Sequence, residues 1–369
     1  MSETLSVMLA AGGTGGHLFP AFALAEELQR RGIAVDLITD MRGDRYGSGF
    51  PARKVYQVPA ATLAGKSPIA ATKTAFALAR GTQAAHKILG AVRPAVVVGF
   101  GGYPTFPPLM AARLRGIPTV LHEQNAVLGR ANRMLAKRVT GIATSFDRVK
   151  YLDTALEAKA TFTGNPVRQV VIDAARQPYD TPAHDGAVRL LVFGGSQGAR
   201  YFSDSVPPAL AQLPAEIKGR LQVTQQAREE DIERVRAAYA ASGIAADVAT
   251  FFKDLPARMA AAHLVIGRAG ASTVAELTVI GRPGLLVPLP HALDNDQLNN
   301  ARRLAESGGG WCIEQKDLSP ARLASEIERL VAAPQALAAA AEAAKRAGRP
   351  DAVVRLADFA LQMAVHGRG

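Results

Sequence analysis

Short apolar runs alternate with amphipathic stretches along most of the chain. Leu5–Ala11 is apolar, a Gly-Gly-Thr-Gly-Gly loop at 12–16 interrupts it, and Pro20–Arg31 has the spacing of an amphipathic helix that ends at Gly32. The next apolar run, Ile33–Thr39, predicts a second strand. Strands and helices that alternate in this way predict a parallel sheet with both faces covered.

The same opening recurs about half a chain later. Val188–Phe193 is apolar, a glycine loop follows at 194–199, and a helical pattern comes next. The turn-rich stretch Gln177–Gly186 between the two copies predicts a linker, and the Ala-rich stretch Pro334–Met363 predicts helix. Further strands are predicted at Ala95–Gly99, Pro118–His122, Thr140–Ser145, Leu221–Thr224, Val248–Phe252, Leu264–Ile266 and Leu285–Leu289.

This repeat predicts two doubly wound α/β domains of the Rossmann type. In such sheets ligands bind at the carboxyl ends of the strands, so we expect the two domains to face a cleft. The 369 residues, 48% of them hydrophobic and 20% charged, suffice for two globular cores.

Charge and cysteine content limit the classes of function that the sequence is compatible with. The chain has 43 Lys and Arg against 32 Asp and Glu, a net charge of +11, which favours a phosphorylated substrate, an anionic membrane or nucleic acid as a partner. Aromatic residues make up only 6%, which argues against base stacking on single-stranded nucleic acid. Cys312 is the single cysteine, so a disulfide framework is excluded. The sequence shows neither an apolar run of membrane-spanning length nor a signal-peptide pattern at its start.

Four glycine loops, at 12–16, 99–103, 194–198 and 267–273, each follow a predicted strand and precede a helix or turn. Backbone N–H groups at such a helix start bind phosphate or another anion, although a single loop of this kind can equally be a tight turn. In the fourth loop Thr273 and Glu276 form a T-x-x-E capping box. The alternative is that Glu276, in the first helical turn, accepts hydrogen bonds from ribose hydroxyls.

Two other enzyme classes remain as alternatives. A dinucleotide fingerprint starting at Gly13 lacks its third glycine, because Leu18 stands there, although Asp40 follows at the end of the second strand. The 194–198 loop also spells G-x-S-x-G, which would make Ser196 the nucleophile of an α/β-hydrolase. Asp254 with His263 or His291 would complete that triad in the required order.

Two groups of polar residues lie where a site is expected. His17 follows the first glycine loop at a helix start, where the dipole lowers an imidazole pKa, and it is either a general base or a cap. The sequence His122-Glu123-Gln124-Asn125 follows an apolar strand and predicts a ligand site at its carboxyl end. Asp294-Asn295-Asp296 resembles a metal-binding D-x-D, but a hydrated loop explains it better.

A helix predicted from Pro68 to Leu89 carries Lys73, Arg80 and Lys87 on one stripe, because they are spaced seven residues apart. Phe76 lies beside this stripe. The stripe is either a solvated face or a contact with anionic lipid.

Six motifs in order resemble the MurG family of N-acetylglucosaminyltransferases in bacterial peptidoglycan synthesis. They are Gly12–His17, Gly99–Tyr103, His122–Asn125, Gly164–Arg168, Phe193–Ala199 and Arg268–Glu276. The resemblance implies the GT-B fold, with an acceptor and membrane-side domain at 1–165, a UDP-sugar domain at 166–349 and a final helix near 350–369 that packs back on the first domain. It also implies an inverting, metal-independent transfer from UDP-N-acetylglucosamine to the C4 hydroxyl of the muramyl sugar in undecaprenyl-pyrophosphoryl-muramyl-pentapeptide.

The resemblance also assigns roles to residues. For the chemistry we predict that His17 serves as the general base or orients the acceptor hydroxyl, with Glu123 as the competing candidate. The implied substrate-binding residues are Thr14, Gly15, Gly16, Asn125, Arg168, Ser196, Phe252, Arg268, Ala271, Ser272, Thr273, Val274, Ala275, Glu276 and Gln297. Among these, Glu276 is implied to hold the ribose, Phe252 to pack on uracil and Gln297 to contact the sugar.

No cofactor, metal or nucleic acid is expected. The implied partners are UDP-N-acetylglucosamine, the undecaprenyl-linked acceptor and anionic lipids of the inner leaflet, with a peripheral location at the cytoplasmic face of the inner membrane.

Overall fold

The chain forms two compact units in a computed structural model that describes residues 5–12, 15–40, 49–60 and 68–366. The first unit comprises Met1–Arg168 and Arg349–Gly369, and the second comprises Gln169–Gly348. The final segment of the chain therefore returns to the first unit.

The first unit is built on a seven-stranded parallel sheet with the order β3-β2-β1-β4-β5-β6-β7. Its strands are β1 Ser6–Ala10, β2 Ala34–Thr39, β3 Val55–Gln57, β4 Val96–Gly99, β5 Thr119–Glu123, β6 Gly141–Thr144 and β7 Ala160–Phe162. Its helices are α1 Gly15–Arg30, α2 Pro68–Val92, α3 Phe106–Leu114, α4 Arg130–Ala136, α5 Thr154–Glu157 and, from the end of the chain, α15 Ala352–His366.

The second unit repeats this plan with six parallel strands in the order β10-β9-β8-β11-β12-β13. Its strands are β8 Val188–Phe193, β9 Leu221–Gln226, β10 Ala245–Ala249, β11 Leu264–Gly267, β12 Gly284–Leu286 and β13 Gly310–Cys312. Its helices are α6 Gln169–Ala174, α7 Gly195–Ala211, α8 Ala215–Lys218, α9 Ile232–Ala241, α10 Leu255–Ala261, α11 Ala271–Ile280, α12 Asp296–Glu306, α13 Pro320–Val331 and α14 Pro334–Ala347. The predicted pair of Rossmann-like parallel sheets is confirmed.

Helices cover both faces of the central strands. In the first unit β1 and β4 are buried along their whole length, and apolar residues of α1 and α15 pack with them on one face. The opposite face packs against α2, α3 and α4. The continuous apolar runs that predicted these strands follow from this two-sided burial.

In each sheet the strand order reverses at one point. The reversal lies between β1 and β4 in the first unit and between β8 and β11 in the second. At such a switch point the two following loops turn away to opposite faces and leave a crevice at the carboxyl ends of the strands. All four predicted glycine loops follow these four strands.

Several predicted boundaries are wrong. Helix α1 begins at Gly15, so Pro20 lies inside the helix rather than at its first position. The Ala-rich stretch is helical as predicted, although it forms two helices, α14 and α15, with an interruption between Ala347 and Ala352. Strand β10 ends at Ala249, three residues before the predicted end.

No helix among the described residues is both long enough and apolar enough to cross a lipid bilayer.

Candidate active site

In the first unit the loops after β1 and β4 pack directly on each other. A Cβ added at Gly12 would lie 2.9 Å from Cγ of Pro104, so only glycine allows this approach. Gly101 and Gly102 have φ of 82° and 73°, in the left-handed region that favours glycine. Gly12, Gly101 and Gly102 therefore lie where the loops after β1 and β4 meet at the switch point.

His17 lies in this crevice in the first turn of α1. Its Nδ1 is 3.0 Å from Oε1 of Gln124, and a Cβ at Gly102 would lie 3.4 Å from its Nε2. Burial lowers the pKa of His17 below its ordinary value, and the Gln124 side chain and the Phe100 main chain oppose that shift in part. The imidazole is therefore neutral at neutral pH, as a general base requires.

Glu123, at the end of β5, has a different environment. Its carboxylate is 1% exposed and accepts hydrogen bonds from the main-chain N–H groups of Asn125 (2.9 Å) and Gly129 (2.8 Å) and from Nδ2 of Asn132 (2.6 Å). Burial raises the pKa of Glu123, and these donors act against that shift. A carboxylate that accepts hydrogen bonds from Asn125, Gly129 and Asn132 organises the loop after β5.

The other predicted residues of the first unit are spread around the same loops. Asn125 is half-buried and its Nδ2 lies 3.3 Å from Oε1 of Glu123. The Arg168 guanidinium lies 4.6 Å from the ring centroid of Phe19 on α1. Gly15 and Gly16 open α1, and Thr14 lies outside the described residues.

In the second unit α11 begins at the switch point. Gly270 is its N-cap, with φ −61° and ψ 149°, and no side chain caps the helix. The predicted capping box is therefore wrong: Thr273 lies inside the first turn, because the helix starts two residues before it, and it cannot be the N-cap. The first N–H groups of α11 are left for an anion.

The residues expected to meet the phosphates on α11 are arranged along this first turn. Ala271, Ser272, Thr273 and Ala275 are partly exposed, whereas Val274 and Glu276 are buried. Glu276 retains 8% exposure and lies one turn into the helix.

Arg268 and Gln297 brace the loop that leads into α11. The buried Arg268 guanidinium donates to the carbonyls of Val287 and Pro288, both at 3.1 Å, and to Oε1 of Gln315 at 2.8 Å. Oε1 of Gln297 accepts from the main-chain N–H groups of Ala269 at 3.2 Å and Leu289 at 3.0 Å. These contacts fix the loop after β11 against the loop after β12.

The loop between β8 and α7 lies beside β9. The N–H of Gly195 donates to Oε1 of Gln226 at 3.1 Å. Phe252 is 7% exposed and the Arg258 guanidinium lies 4.3 Å from its ring centroid, so the main chain of Phe252 rather than its ring is left for a ligand. Ser196 lies in the first turn of α7.

The hydrolase alternative is not supported. His263 precedes β11, whose Leu264 pairs with Leu190, whereas Ser196 follows the other end of the neighbouring β8. About 10 Å of strand separates the two ends, because strands rise about 3.3 Å per residue. Asp254, the acid of that triad, forms an ion pair with Arg258 instead.

Within the described ranges no three His, Cys, Asp or Glu side chains come together as metal ligands. Asp294 has a left-handed φ of 55° in the loop before α12, while Asp296 begins the helix.

Sequence reasoning assigned no role to Gln124, although it lies in a quoted motif, and it missed Asn132 altogether. Both make contacts with residues distant in the sequence. Gln124 contacts His17, which is 107 positions away, and Asn132 contacts Glu123, which is 9 positions away on another element. No local pattern reports such contacts.

Known protein families and relatives match this chain along almost its whole length. The model of the glycosyltransferase family 28 N-terminal domain matches residues 7–144, and that of the C-terminal domain matches residues 189–356. Two relatives carry the name UDP-N-acetylglucosamine–N-acetylmuramyl-(pentapeptide) pyrophosphoryl-undecaprenol N-acetylglucosamine transferase. The one from Methylobacterium sp. (strain 4-46) is 54% identical over 97% of both chains. The one from Nitrobacter hamburgensis is 51% identical over 99% of this chain and 98% of the relative.

The crystal structure of Acinetobacter baumannii MurG superposes with a TM-score of 0.80 at 29% identity, and the match covers 97% of this chain and 99% of that one. The chain therefore belongs to glycosyltransferase family 28 and, within it, to the family of UDP-N-acetylglucosamine–N-acetylmuramyl-(pentapeptide) pyrophosphoryl-undecaprenol N-acetylglucosamine transferases.

Proposed function

We propose that this chain transfers N-acetylglucosamine from UDP-N-acetylglucosamine to the C4 hydroxyl of the muramyl sugar in undecaprenyl-pyrophosphoryl-muramyl-pentapeptide. The observation that carries the proposal is the 54% identity to transferases of this name over 97% of both chains. The glycine loops at the switch points of both sheets agree with it, because an enzyme of this kind must bind phosphates and a sugar at the ends of parallel strands.

The second unit supplies the donor site in this proposal. The N-terminus of α11 faces the diphosphate with its first main-chain N–H groups, and Glu276 accepts from the ribose hydroxyls. Phe252 contacts uracil through its main chain, and Ser196 lies at the uridine diphosphate. Helix N-termini and cations stabilise the charge of departing UDP, so the transfer needs no metal.

Arg268 and Gln297 make contacts that define narrower roles in the donor site. Arg268 is committed to main-chain carbonyls and Gln315, so it holds the loop before α11 rather than a phosphate. Gln297 uses Oε1 on two N–H groups of the protein, which leaves its Nε2 to donate to the sugar.

The first unit supplies the base. In a single displacement the C4 oxygen attacks the anomeric carbon, its proton passes to Nε2 of His17, and UDP leaves with the electron pair of the broken bond. The configuration at the anomeric carbon inverts, and no covalent nucleophile is required. Thr14, Gly15, Gly16 and Asn125 position the two sugars beside the base.

A membrane face on the first unit follows from the acceptor, whose polyprenyl chain lies in a bilayer. Helix α2 exposes Lys73, Arg80 and Lys87, and the side chain of Phe76 is 65% exposed with the Arg80 guanidinium 5.9 Å from its ring centroid. Exposed cations beside an exposed aromatic ring suit the headgroup region of an anionic membrane. A peripheral location on the inner face of the inner membrane fits this surface.

The neighbouring helix extends the same surface. Nε of Arg115 donates to the His86 carbonyl on α2 at 2.6 Å, and Leu114 at the end of α3 is 66% exposed.

The experiment that tests the proposal measures transfer of radiolabel from UDP-N-acetylglucosamine into a lipid-extractable muramyl-pentapeptide acceptor. We expect label in the lipid fraction with this donor and little with UDP-glucose. The absence of transfer from UDP-N-acetylglucosamine by folded protein would refute the proposal.

A further inference from the structure

Behind His17 a line of hydrogen-bonding groups runs through the interior of the first unit. Oε1 of Gln124 faces Nδ1 of His17 at 3.0 Å, and Nε2 of Gln124 faces Nδ1 of His122 at 3.0 Å. Nε2 of His122 lies 3.2 Å from the carbonyl oxygen of Gly164. Gln124 and His122 are both buried, with exposures of 2% and 0%.

The main chain fixes the orientation of the Gln124 amide. Its Nε2 lies 2.8 Å from the carbonyl oxygen of Phe100 and 3.2 Å from that of His122. Carbonyl oxygens only accept hydrogen bonds, so the NH₂ end of the amide must face them. The oxygen end must then face His17.

The same conclusion follows from the other end of the line. The Gly164 carbonyl only accepts, so Nε2 of His122 must carry the proton in the neutral ring, and Nδ1 must accept from Gln124. Burial lowers the pKa of His122 to about 4, so the ring stays neutral across the physiological range. Both ends of the line therefore impose one orientation on the amide between them.

This orientation decides which nitrogen of His17 is the base. An amide oxygen cannot donate, so Nδ1 of neutral His17 must carry the proton and donate to it, which leaves the lone pair on Nε2. Nε2 is the nitrogen beside Gly102, in the crevice at the switch point. A free neutral histidine prefers the opposite tautomer, with the proton on Nε2, and could not accept a proton there.

We propose that Gln124 is a positioning residue which, held by the Phe100 carbonyl and by His122, sets the tautomer of His17 so that Nε2 accepts the proton of the attacking hydroxyl. This inference rests on the proposed function for the identity of the hydroxyl, but the tautomer itself does not depend on it.

Two titratable side chains of β5 lie near this arrangement. His122 interacts electrostatically with His17 and is itself neutral, because burial lowers its pKa to about 4. Glu123, its neighbour on β5, directs its carboxylate to Asn125, Gly129 and Asn132 instead.

The first arm of the test reads the tautomer directly. Heteronuclear NMR of the imidazole nitrogens at neutral pH, with the His17 signals assigned from a His17→Gln variant, should show Nδ1 protonated and Nε2 unprotonated in the unmodified protein. A His17 signal with the proton on Nε2 would overturn the proposal. This arm does not depend on transferase activity, so it stands even if the proposed function fails.

The second arm replaces Gln124 by Met, which has a similar volume and cannot form these hydrogen bonds. The His17 signals should shift toward the Nε2-protonated tautomer, kcat should fall by about tenfold or more, and the KM for UDP-N-acetylglucosamine should stay within about twofold. Gln225→Met is the matched control, because Gln225 is a buried amide of the second unit that accepts from Tyr239. Its kcat should remain within about twofold of the parent.

An unchanged tautomer in Gln124→Met, or a changed tautomer with kcat retained, would refute the positioning role. A loss of kcat that Gln225→Met shares in full would likewise refute it, because the loss would then follow from general damage to the fold.

Discussion

At the scale of single residues the proposed mechanism depends on one imidazole and one buried carboxylate. We expect His17→Ala to lower kcat by about a hundredfold or more, because a general base contributes about that much, while the KM for the donor stays within about twofold. His184→Ala is the control, since that histidine is 95% exposed in the second unit. If kcat fell less than about tenfold, His17 would be a helix cap and not the base.

The pH dependence follows from the same residue. Burial lowers the pKa of His17 from its ordinary value of 6.5, and the base works only when unprotonated. Activity should therefore rise with pH along an acid limb centred below 6.5 and be constant at neutral pH. An acid limb centred above 6.5 would show that another group is the base.

Glu276 should act on binding rather than on turnover. Glu276→Ala should raise the KM for UDP-N-acetylglucosamine by about tenfold, the equivalent of one charge-assisted hydrogen bond, with little change in kcat at saturation. Glu306→Ala, which removes a carboxylate 56% exposed at the end of α12, should leave both constants unchanged. Equal donor affinity in Glu276→Ala and the parent would remove Glu276 from the donor site.

The sequence predicted His17 because a glycine loop and a helix start surround it locally. It left Glu123 open as a rival base, and only the structure shows that Asn125, Gly129 and Asn132 occupy its carboxylate. The proposed role of Gln124 could not be predicted from the sequence, because the Phe100 carbonyl that orients its amide comes from another loop.

At the scale of elements the accuracy of the strand predictions depended on burial. The central strands β1, β4 and β8 are apolar except for Ser6 and Arg189, and they were predicted within a residue or two. The missed strands β3, β7 and β13 are three residues long and lie at sheet edges, where one side has no neighbouring strand and the residues are partly exposed. Edge strands of this kind lack the apolar run on which the prediction depends.

The predicted helix starts were wrong for a different reason. Pro favours the first position of a helix and Thr favours the N-cap, yet α1 begins before Pro20 and α11 begins before Thr273. In both cases the helix extends back to the glycine loop at the switch point. The tertiary position of the loop therefore overrides the local preference.

The basic stripe of α2 gives a prediction for this element. Lys73→Gln/Arg80→Gln/Lys87→Gln should weaken binding to vesicles that contain phosphatidylglycerol by more than about a hundredfold, because each cation near such a surface contributes about 1 kcal/mol. Co-sedimentation with and without the anionic lipid measures this. The control, Arg236→Gln/Lys316→Gln/Arg346→Gln, removes the same net charge from exposed sites of the second unit. Equal binding by the two triple variants would make the stripe a solvated face.

Arg282 gives a second prediction, about the way the helices of the second unit end. Its guanidinium is buried and donates to main-chain carbonyls, among them those at the ends of α10 and α11; the acceptors are Ala260, Ile280, Gly281, Gln177 and Pro178. Cations at helix C-termini stabilise the exposed carbonyls.

Arg282→Met should therefore lower the free energy of unfolding by about 3 kcal/mol or more, measured by urea denaturation. Arg329→Met, which breaks an exposed ion pair with Glu326, should cost less than about 1 kcal/mol. Equal losses in the two variants would contradict the role of Arg282.

At the scale of the whole molecule the internal repeat was the strongest signal in the sequence. Two copies of strand, glycine loop and helix predicted two parallel sheets, and each sheet has its reversal of strand order where those loops lie. The division of the chain into units does not follow the repeat alone, because Arg349–Gly369 belongs to the first unit although it follows the second unit in the sequence. An interruption at Gly348 and Pro350 was the available signal.

The proposed mechanism is a single displacement, with His17 as base and helix N-termini in place of a metal. The most direct test is the anomeric configuration of the product formed from the α-linked donor in the presence of EDTA. We predict a β-linked N-acetylglucosaminyl product, formed at an undiminished rate. An α-linked product would contradict the single displacement. Transfer that stops in EDTA and resumes when a divalent metal is restored would contradict the metal-independent mechanism.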